Sequence, residues 1–169
     1  GLLDAERRLH RLLGEFVGVD ATAQAAVEAG VISEAYRLNT AGYPATLRAW
    51  RGHLNYVTDV ALQRADEQSA TLASNLGYHI QADGDYAGAR PYFERALAIR
   101  EKALGADHPA TATSLNNLGG LLQAMGDYAG ARPYYERALA IREKALAANH
   151  PDTAQSLNNL GGLLKAMGD

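Results

Sequence analysis

Cysteine is absent from this chain of 169 residues, so neither a disulfide framework nor a thiolate metal site is available to it. That absence fits the reducing cytoplasm, where we expect the protein to work. An excess of one charge is missing too. The 16 basic and 19 acidic residues leave a net charge of −3, which gives no footprint for nucleic acid or for an anionic membrane surface. No apolar run approaches the roughly 18 residues that span a bilayer. The five histidines, His10, His53, His79, His108 and His150, are scattered, no His-Glu-x-x-His spacing occurs, and no serine has a nucleophile-elbow context. We therefore expect no catalytic residue, no metal and no cofactor.

What the chain has instead is repetition. Residues 85–126 and 127–168 are nearly the same 42-residue text, and six positions differ: Phe93/Tyr135, Gly105/Ala147, Asp107/Asn149, Ala110/Asp152, Thr113/Gln155 and Gln123/Lys165. Repetition at such a period signals a stack of small helical units and not a domain with one unique site. The 47% hydrophobic content, rich in alanine and leucine, suits helices. The chain begins at Gly1 without a signal-peptide pattern and stops at Asp169, the first residue of a further copy; we read it as part of something longer.

Within each unit the apolar period is helical. Leu115, Leu118, Leu121, Leu122 and Met125 follow spacings of three and four, which predicts a helix over 109–125 with Pro109 at its first position. Gly126 should stop it and Asp127 should cap the next helix, over 127–147. That helix is expected to bury Tyr128, Ala131, Tyr135, Ala138, Leu139, Ile141 and Leu146. Most of its charged residues (Arg132, Glu136, Arg137, Arg142, Glu143 and Lys144) should face water. Pro91 and Pro133 fall about six residues into their helices, where a kink is expected and not a break, since the apolar pattern continues past them.

Upstream, Leu47, Trp50, Leu54, Val57 and Ala61 predict a helix over 45–63, and Val27, Val31, Ala35 and Leu38 another over 20–40. Together they make a divergent hairpin or cap spanning 20–67. Asn75-Leu76-Gly77 stands one period before Asn117-Leu118-Gly119. The regular array therefore occupies 68–169, as two full units and an unpaired first helix over 152–167. That last helix should expose Leu157, Leu160, Leu164 and Met167. Leaving roughly 300 Å² wet would forgo about 7 kcal/mol, so this end is expected to fray or to dock on another copy of the chain.

Leu115, Leu118, Gly119 and Leu122, then Gly126, Tyr128, Ala131, Tyr135 and Ala138, resemble the tetratricopeptide repeat, a helix-turn-helix unit of roughly 34 residues. The preceding unit matches through Leu76, Gly77, Ile80, Gly84, Tyr86, Ala89, Phe93 and Ala96. Leu122 replaces the usual tyrosine, and about eight extra residues lengthen the second helix and loop. The long form, with His108-Pro109 and His150-Pro151 at the junctions, is similar to kinesin light chain. The resemblance implies an all-α, right-handed superhelix that binds protein partners. A second resemblance covers residues 1–19: Arg8-Leu9-His10-Arg11-Leu12-Leu13 with Phe16-Val17 looks like the end of the winged-helix domain in signalling NTPases of the nucleotide-oligomerisation type. It would make His10 the counterpart of a nucleotide-sensing histidine. In that family the histidine is the middle of a Met-His-Asp triplet; here Leu9 and Arg11 replace the outer two, and the chain has no phosphate-binding Gly-Lys loop, so His10 is expected to hold no ligand.

In such an array the first helix of each unit lines the inner wall. Recurring polar residues fall there: Asn75, Asn117 and Asn159, with Asn116 and Asn158 beside them and Ser74 in the early unit. Side-chain amides could grip an extended peptide, or each could bond the neighbouring unit and lock the stack. The groove is favoured for Asn116 and Asn158, the stack for Asn117 and Asn159. Gly120 and Gly162 leave the wall bare where Tyr78 stands in the early unit. Gln81, Gln123 and Lys165 differ between units at the groove edge and are candidates for selectivity. The function expected is a peptide- or partner-binding groove, as the sensor or scaffold of a larger bacterial signalling protein; the alternative is an autoinhibitory or self-associating arm of such an NTPase.

Overall fold

The structure, a computed structural model, describes residues 51–146 and 149–168 together with 30, 31, 33, 34 and 37. The readings made for residues 1–19, His10 included, for most of the 20–40 helix and for Leu47 and Trp50 lie outside the described residues.

From residue 51 onward the described residues form six successive helices, α1 (Arg51–Ala61), α2 (Glu67–Ala82), α3 (Tyr86–Leu104), α4 (Pro109–Ala124), α5 (Tyr128–Ala145) and α6 (Pro151–Met167), with no strand among the described residues. The fold is an all-α superhelical solenoid. Each helix packs on the next, and α2 also touches α4 as α4 touches α6, so the first helices of successive units form a continuous layer.

The turns follow from a Gly-Asp pair. Gly84 has φ +84 and Gly126 +81, the left-handed region that glycine enters without a Cβ penalty. Gly84 N–H donates to Gln81 O at 2.9 Å and Asp85 N–H to Ile80 O at 3.2 Å, and Gly126 and Asp127 repeat this on Gln123 and Leu122. Those bonds close the first helix. The aspartate then opens the second: Asp85 Oδ1 accepts from Gly88 N–H and Asp127 Oδ1 from Gly130 N–H, both at 2.9 Å. At the other junction the caps are histidines. His108 Nδ1 accepts from Ala110 N–H at 3.1 Å and His150 Nδ1 from Asp152 N–H at 3.2 Å, with proline in the next position.

Helices α3 and α5 run unbroken through Pro91 and Pro133. Both prolines are exposed, as are Ala87 and Ala129 four residues earlier, so water can bond the carbonyls that lose their helical partner.

Packing within a hairpin centres on a glycine under an aromatic ring. A Cβ at Gly77 would stand 2.9 Å from the Phe93 ring, and one at Gly119 2.7 Å from Tyr135. Leu76, Ile80, Leu118 and Leu121 fill one core around Phe93, while Leu122, Ala131, Tyr135 and Leu163 form another that ties α4 and α5 to α6.

The expected burial of α5 holds for Ala131, Tyr135, Ala138 and Ile141, but Tyr128 is exposed and Leu139 and Leu146 are half-buried. Tyr128 stands at the first residue of its helix, where nothing yet covers it. Helix α6 runs to Met167 and is closed by Gly168 at φ +87; Leu157 and Met167 are exposed as expected, while Leu160 and Leu164 are half-buried.

Of the six charged residues named for α5, most face water as expected, and one does not. Arg142 does not face water; it is 2% exposed, and Arg100, one period earlier, is 6% exposed. Arg100 Nη1 donates to Ser114 Oγ of the next unit at 2.8 Å and to Ser74 Oγ at 3.3 Å, Nη2 donates to Thr71 Oγ1 at 3.1 Å, and Nε donates to the Glu67 carboxylate at 3.0 and 3.2 Å. Arg142 Nη1 donates to Ser156 Oγ at 2.9 Å and to the Asp152 carbonyl at 2.8 Å, and Nη2 donates to Thr113 Oγ1 at 3.2 Å. A planar, many-donor guanidinium can stitch two units where an apolar side chain could only fill space.

Candidate peptide-binding groove

The layer formed by α2, α4 and α6 sets three equivalent rows side by side. Along it Asn75, Gln81, Gly120, Gln123 and Asn159 are half-buried, Asn116, Asn117 and Ser74 are buried, and Tyr78, Asn158, Gly162 and Lys165 are exposed. Helix α4 carries no charged side chain, so the centre of the face is neutral.

Two of these residues belong to the joints between units. Asn116 Nδ2 donates to Ser156 Oγ of the next unit at 2.9 Å, and Ser156 also accepts from Arg142. Ser74 Oγ donates to the Ala70 carbonyl at 3.0 Å and accepts from Arg100. The Asn116 amide and the Ser74 hydroxyl are thus engaged in the stack, the alternative weighed for such groups. The cause is register: Ser74 meets Arg100 of its own hairpin, and Asn116 reaches across the joint to the serine that Arg142 of its hairpin also bonds. Asn75 borders the small cleft lined by Val31, Leu54, Thr58 and His79.

Asn117 and Gln123 are held by tyrosine hydroxyls. Tyr78 OH donates to Asn117 Oδ1 of the next unit at 2.6 Å, and Tyr135 OH donates to Gln123 Oε1 within its own unit at 2.9 Å. The two arrangements exchange one phenol. Tyr78 packs edge-on against Phe93, with ring centroids 5.3 Å apart. One unit later the wall residue is Gly120 and the second-helix residue is Tyr135, whose hydroxyl lies 3.5 Å from where a Gly120 Cβ would be. Burial, with a smaller contribution from Tyr78, pushes the Tyr135 hydroxyl above the usual phenol range, which keeps it a neutral donor.

Because both carbonyl ends are engaged, the amide NH2 ends are what Asn117 and Gln123 have left to offer. Lys165, exposed at the equivalent of Gln123, adds a further donor. This face therefore suits acceptors such as the carbonyl oxygens of an extended chain. Among the described residues no group of three His, Cys, Asp or Glu is placed to hold a metal, and no helix is long and apolar enough to cross a membrane.

Sequence reasoning missed the buried arginines and the histidine caps. For the arginines a signal existed: Arg100 lies four residues after Ala96 and seven after Phe93, on the stripe that faces the core. For the histidines the signal was the proline at the first helical position, which places His108 and His150 at the N-cap.

A stack of two-helix units with glycine-aromatic crossings and a layer of first helices defines a class, the helical-repeat scaffold. Residues 68–144 and 113–169 match the tetratricopeptide repeat, and the chain belongs to that family, whose members are generally non-catalytic scaffolds. Solved structures agree on the fold. A protein of Podosopora anserina described as a kinesin light chain with nearly identical repeats matches at a TM-score of 0.75 and 20% identity, over 99% of this chain and 79% of that one. A variant of it reaches 0.77 at 19% identity over the same shares. BtubC (BKLC) from P. vanneervenii matches at 0.60 and 19% identity, over 99% and 83%. At these identities the likeness is one of fold. No curated protein matches the chain in sequence.

Proposed function

We propose that this array, residues 68–169 behind a divergent cap at 20–67, binds an extended peptide of a protein partner across the α2–α4–α6 face, in the cytoplasm. The observation that carries the reading is the pair of tyrosine-anchored amides, Asn117 and Gln123, whose free ends are donors. A peptide main chain presents carbonyl acceptors at regular intervals, so affinity comes from the backbone. Selectivity comes from the positions that differ between units, Gln81, Gln123 and Lys165, with Tyr78 against Gly120 and Gly162 setting how closely the peptide approaches. Asn75 and Asn159 extend the row at either end, and Asn158 lies beside it. The resemblance of residues 8–17 to the end of a winged helix supports placing the array as the sensor or scaffold of a larger bacterial signalling protein.

The test is selection of a peptide from a displayed random library on this chain, followed by calorimetric titration of variants. Asn117→Ala and Gln123→Ala should weaken binding about tenfold, the loss of one or two hydrogen bonds to the peptide, beside a loss of about 1 kcal/mol in stability from the broken tyrosine bond. Asn116→Ala should lower the melting temperature and leave affinity alone. Unchanged affinity in the first two variants would remove the groove as the site. The second reading, a self-associating arm, is favoured by the 48% exposure of Leu157 on α6. It predicts dimers by sedimentation that Leu157→Asp abolishes.

A further inference from the structure

The two buried arginines, otherwise equivalent, differ at one edge of the guanidinium. In the earlier unit the Nε/Nη2 edge of Arg100 holds the Glu67 carboxylate, with Nε at 3.0 and 3.2 Å and Nη2 at 2.9 Å from its oxygens. Arg142 keeps the same attitude: its Nη2 bonds Thr113 as that of Arg100 bonds Thr71, and its Nη1 reaches Ser156 as that of Arg100 reaches Ser114. The Nε/Nη2 edge of Arg142 therefore points where the first residue of α4 stands. That residue is Pro109 where the earlier unit has Glu67. Arg142 Nε is buried and has no hydrogen-bond partner.

A buried guanidinium with an unmet donor is costly, and the remedy visible one period away is a carboxylate. Asp152 is the acid that acts on Arg142 through space, but the bond it provides comes from its main-chain carbonyl to Nη1, on the other edge. Burial, outweighing Asp152, holds the guanidinium below its ordinary range. Arg142 is 2% exposed, so an incoming carboxylate has to part the residues over it; of those flanking, Thr113 is exposed and Pro109 half-buried, and Glu67 reaches Arg100 with 44% of its side chain in solvent.

We propose that the Nε/Nη2 edge of Arg142 is a binding site for a carboxylate presented from outside the unit by an aspartate or glutamate side chain of a partner protein. The site lies on the side of the array where the long loops join, one turn before Asn117 on α4, so a partner could use it alone or while also filling the groove.

The experiment is a titration of the 15N-labelled chain followed at the arginine Nε–H resonances, with sodium acetate as the probe and sodium chloride at equal ionic strength as the control. The Arg142 signal should move saturably with acetate and not with chloride, while Arg100, already bonded to Glu67, stays still. Pro109→Glu, which supplies the missing carboxylate from within, should abolish the response and bring the Arg142 signal near that of Arg100. Asp152→Asn, which removes the competing charge, should tighten acetate binding by about twofold or more. A blocked tripeptide with a central glutamate should bind more tightly than acetate if a protein side chain is the true ligand; equal affinity would point to a free small acid in its place. No movement with acetate, an equal response to chloride, or an undiminished response in Pro109→Glu would overturn the proposal.

Discussion

Gly119 and Gly161 stand at the same place in identical nine-residue contexts, Ser114–Leu122 and Ser156–Leu164, yet a methyl group added to each meets different surroundings. At Gly119 it would lie 2.7 and 2.8 Å from two ring carbons of Tyr135, closer than carbon atoms pack; at Gly161 nothing stands within 4 Å. Tyr135 cannot swing away cheaply, because it is 3% exposed and its hydroxyl is bonded to Gln123. Replacing a mid-helix glycine by alanine gains about 1 kcal/mol through helix propensity. Overpacking a buried contact costs about 1–3 kcal/mol. Gly161→Ala should therefore stabilise by up to about 1 kcal/mol, and Gly119→Ala should destabilise by up to about 2 kcal/mol once both terms are counted. Since local sequence is the same, the difference between the variants isolates the ring contact. Urea unfolding followed by circular dichroism reads it as midpoint shifts of opposite sign. Hydrogen exchange at the α6 amides registers the gain at Gly161 even if that helix opens before the rest. Two shifts of equal sign and size would refute the glycine-under-ring account of how these hairpins close.

Other consequences follow from the same contacts. Tyr135→Phe should cost about 1 kcal/mol, the net worth of the bond to Gln123, in urea unfolding, whereas Phe93→Tyr would bring a second phenol toward Tyr78 and should not stabilise. Arg100→Ala should destabilise by about 2–4 kcal/mol, because it removes a guanidinium shared by two units and leaves Ser74 and Ser114 short of donors; thermal melting checks it, and Arg95→Ala, exposed on the same helix, is the control. Asp85 is held below the usual carboxylate range by the Arg51 guanidinium and by Gly88 N–H. Its depressed folded value means that the contribution to stability is present above the ordinary unfolded value and is lost as pH falls through the folded one. Protection of the Gly88 amide, its exchange relative to an unstructured amide at the same pH, should accordingly fall on acidification below about pH 4, and the Asp85→Asn variant should lose that dependence.

Much of the array was legible because the physics that makes it is local. The Gly-Asp pair states both a stop and a cap, the proline after histidine states a helix start, and leucines at three and four state a buried face; the helices appear where these signals put them, within one or two residues. The groove was harder. Whether an asparagine bonds a ligand or a neighbour depends on what the next unit places opposite it, and Asn116 meets Ser156 across a joint that no single helix reveals. The Tyr78–Asn117 bond spans 39 positions and could be sensed only as a tyrosine where the other units have glycine. Arg142 was not singled out among the charged residues of its helix, since charge puts arginine outside while its spacing puts it inside.

The claim under greatest load is that a partner's main chain lies along α2, α4 and α6 and bonds the amides anchored by Tyr78 and Tyr135. Side-chain amide resonances of the chain, recorded with and without a library-selected peptide, test it directly. Asn117 and Gln123 NH2 signals should move together on binding while that of Asn116, tied to Ser156, stays in place. Movement confined to α3 and α5, with Asn117 and Gln123 silent, would contradict the account.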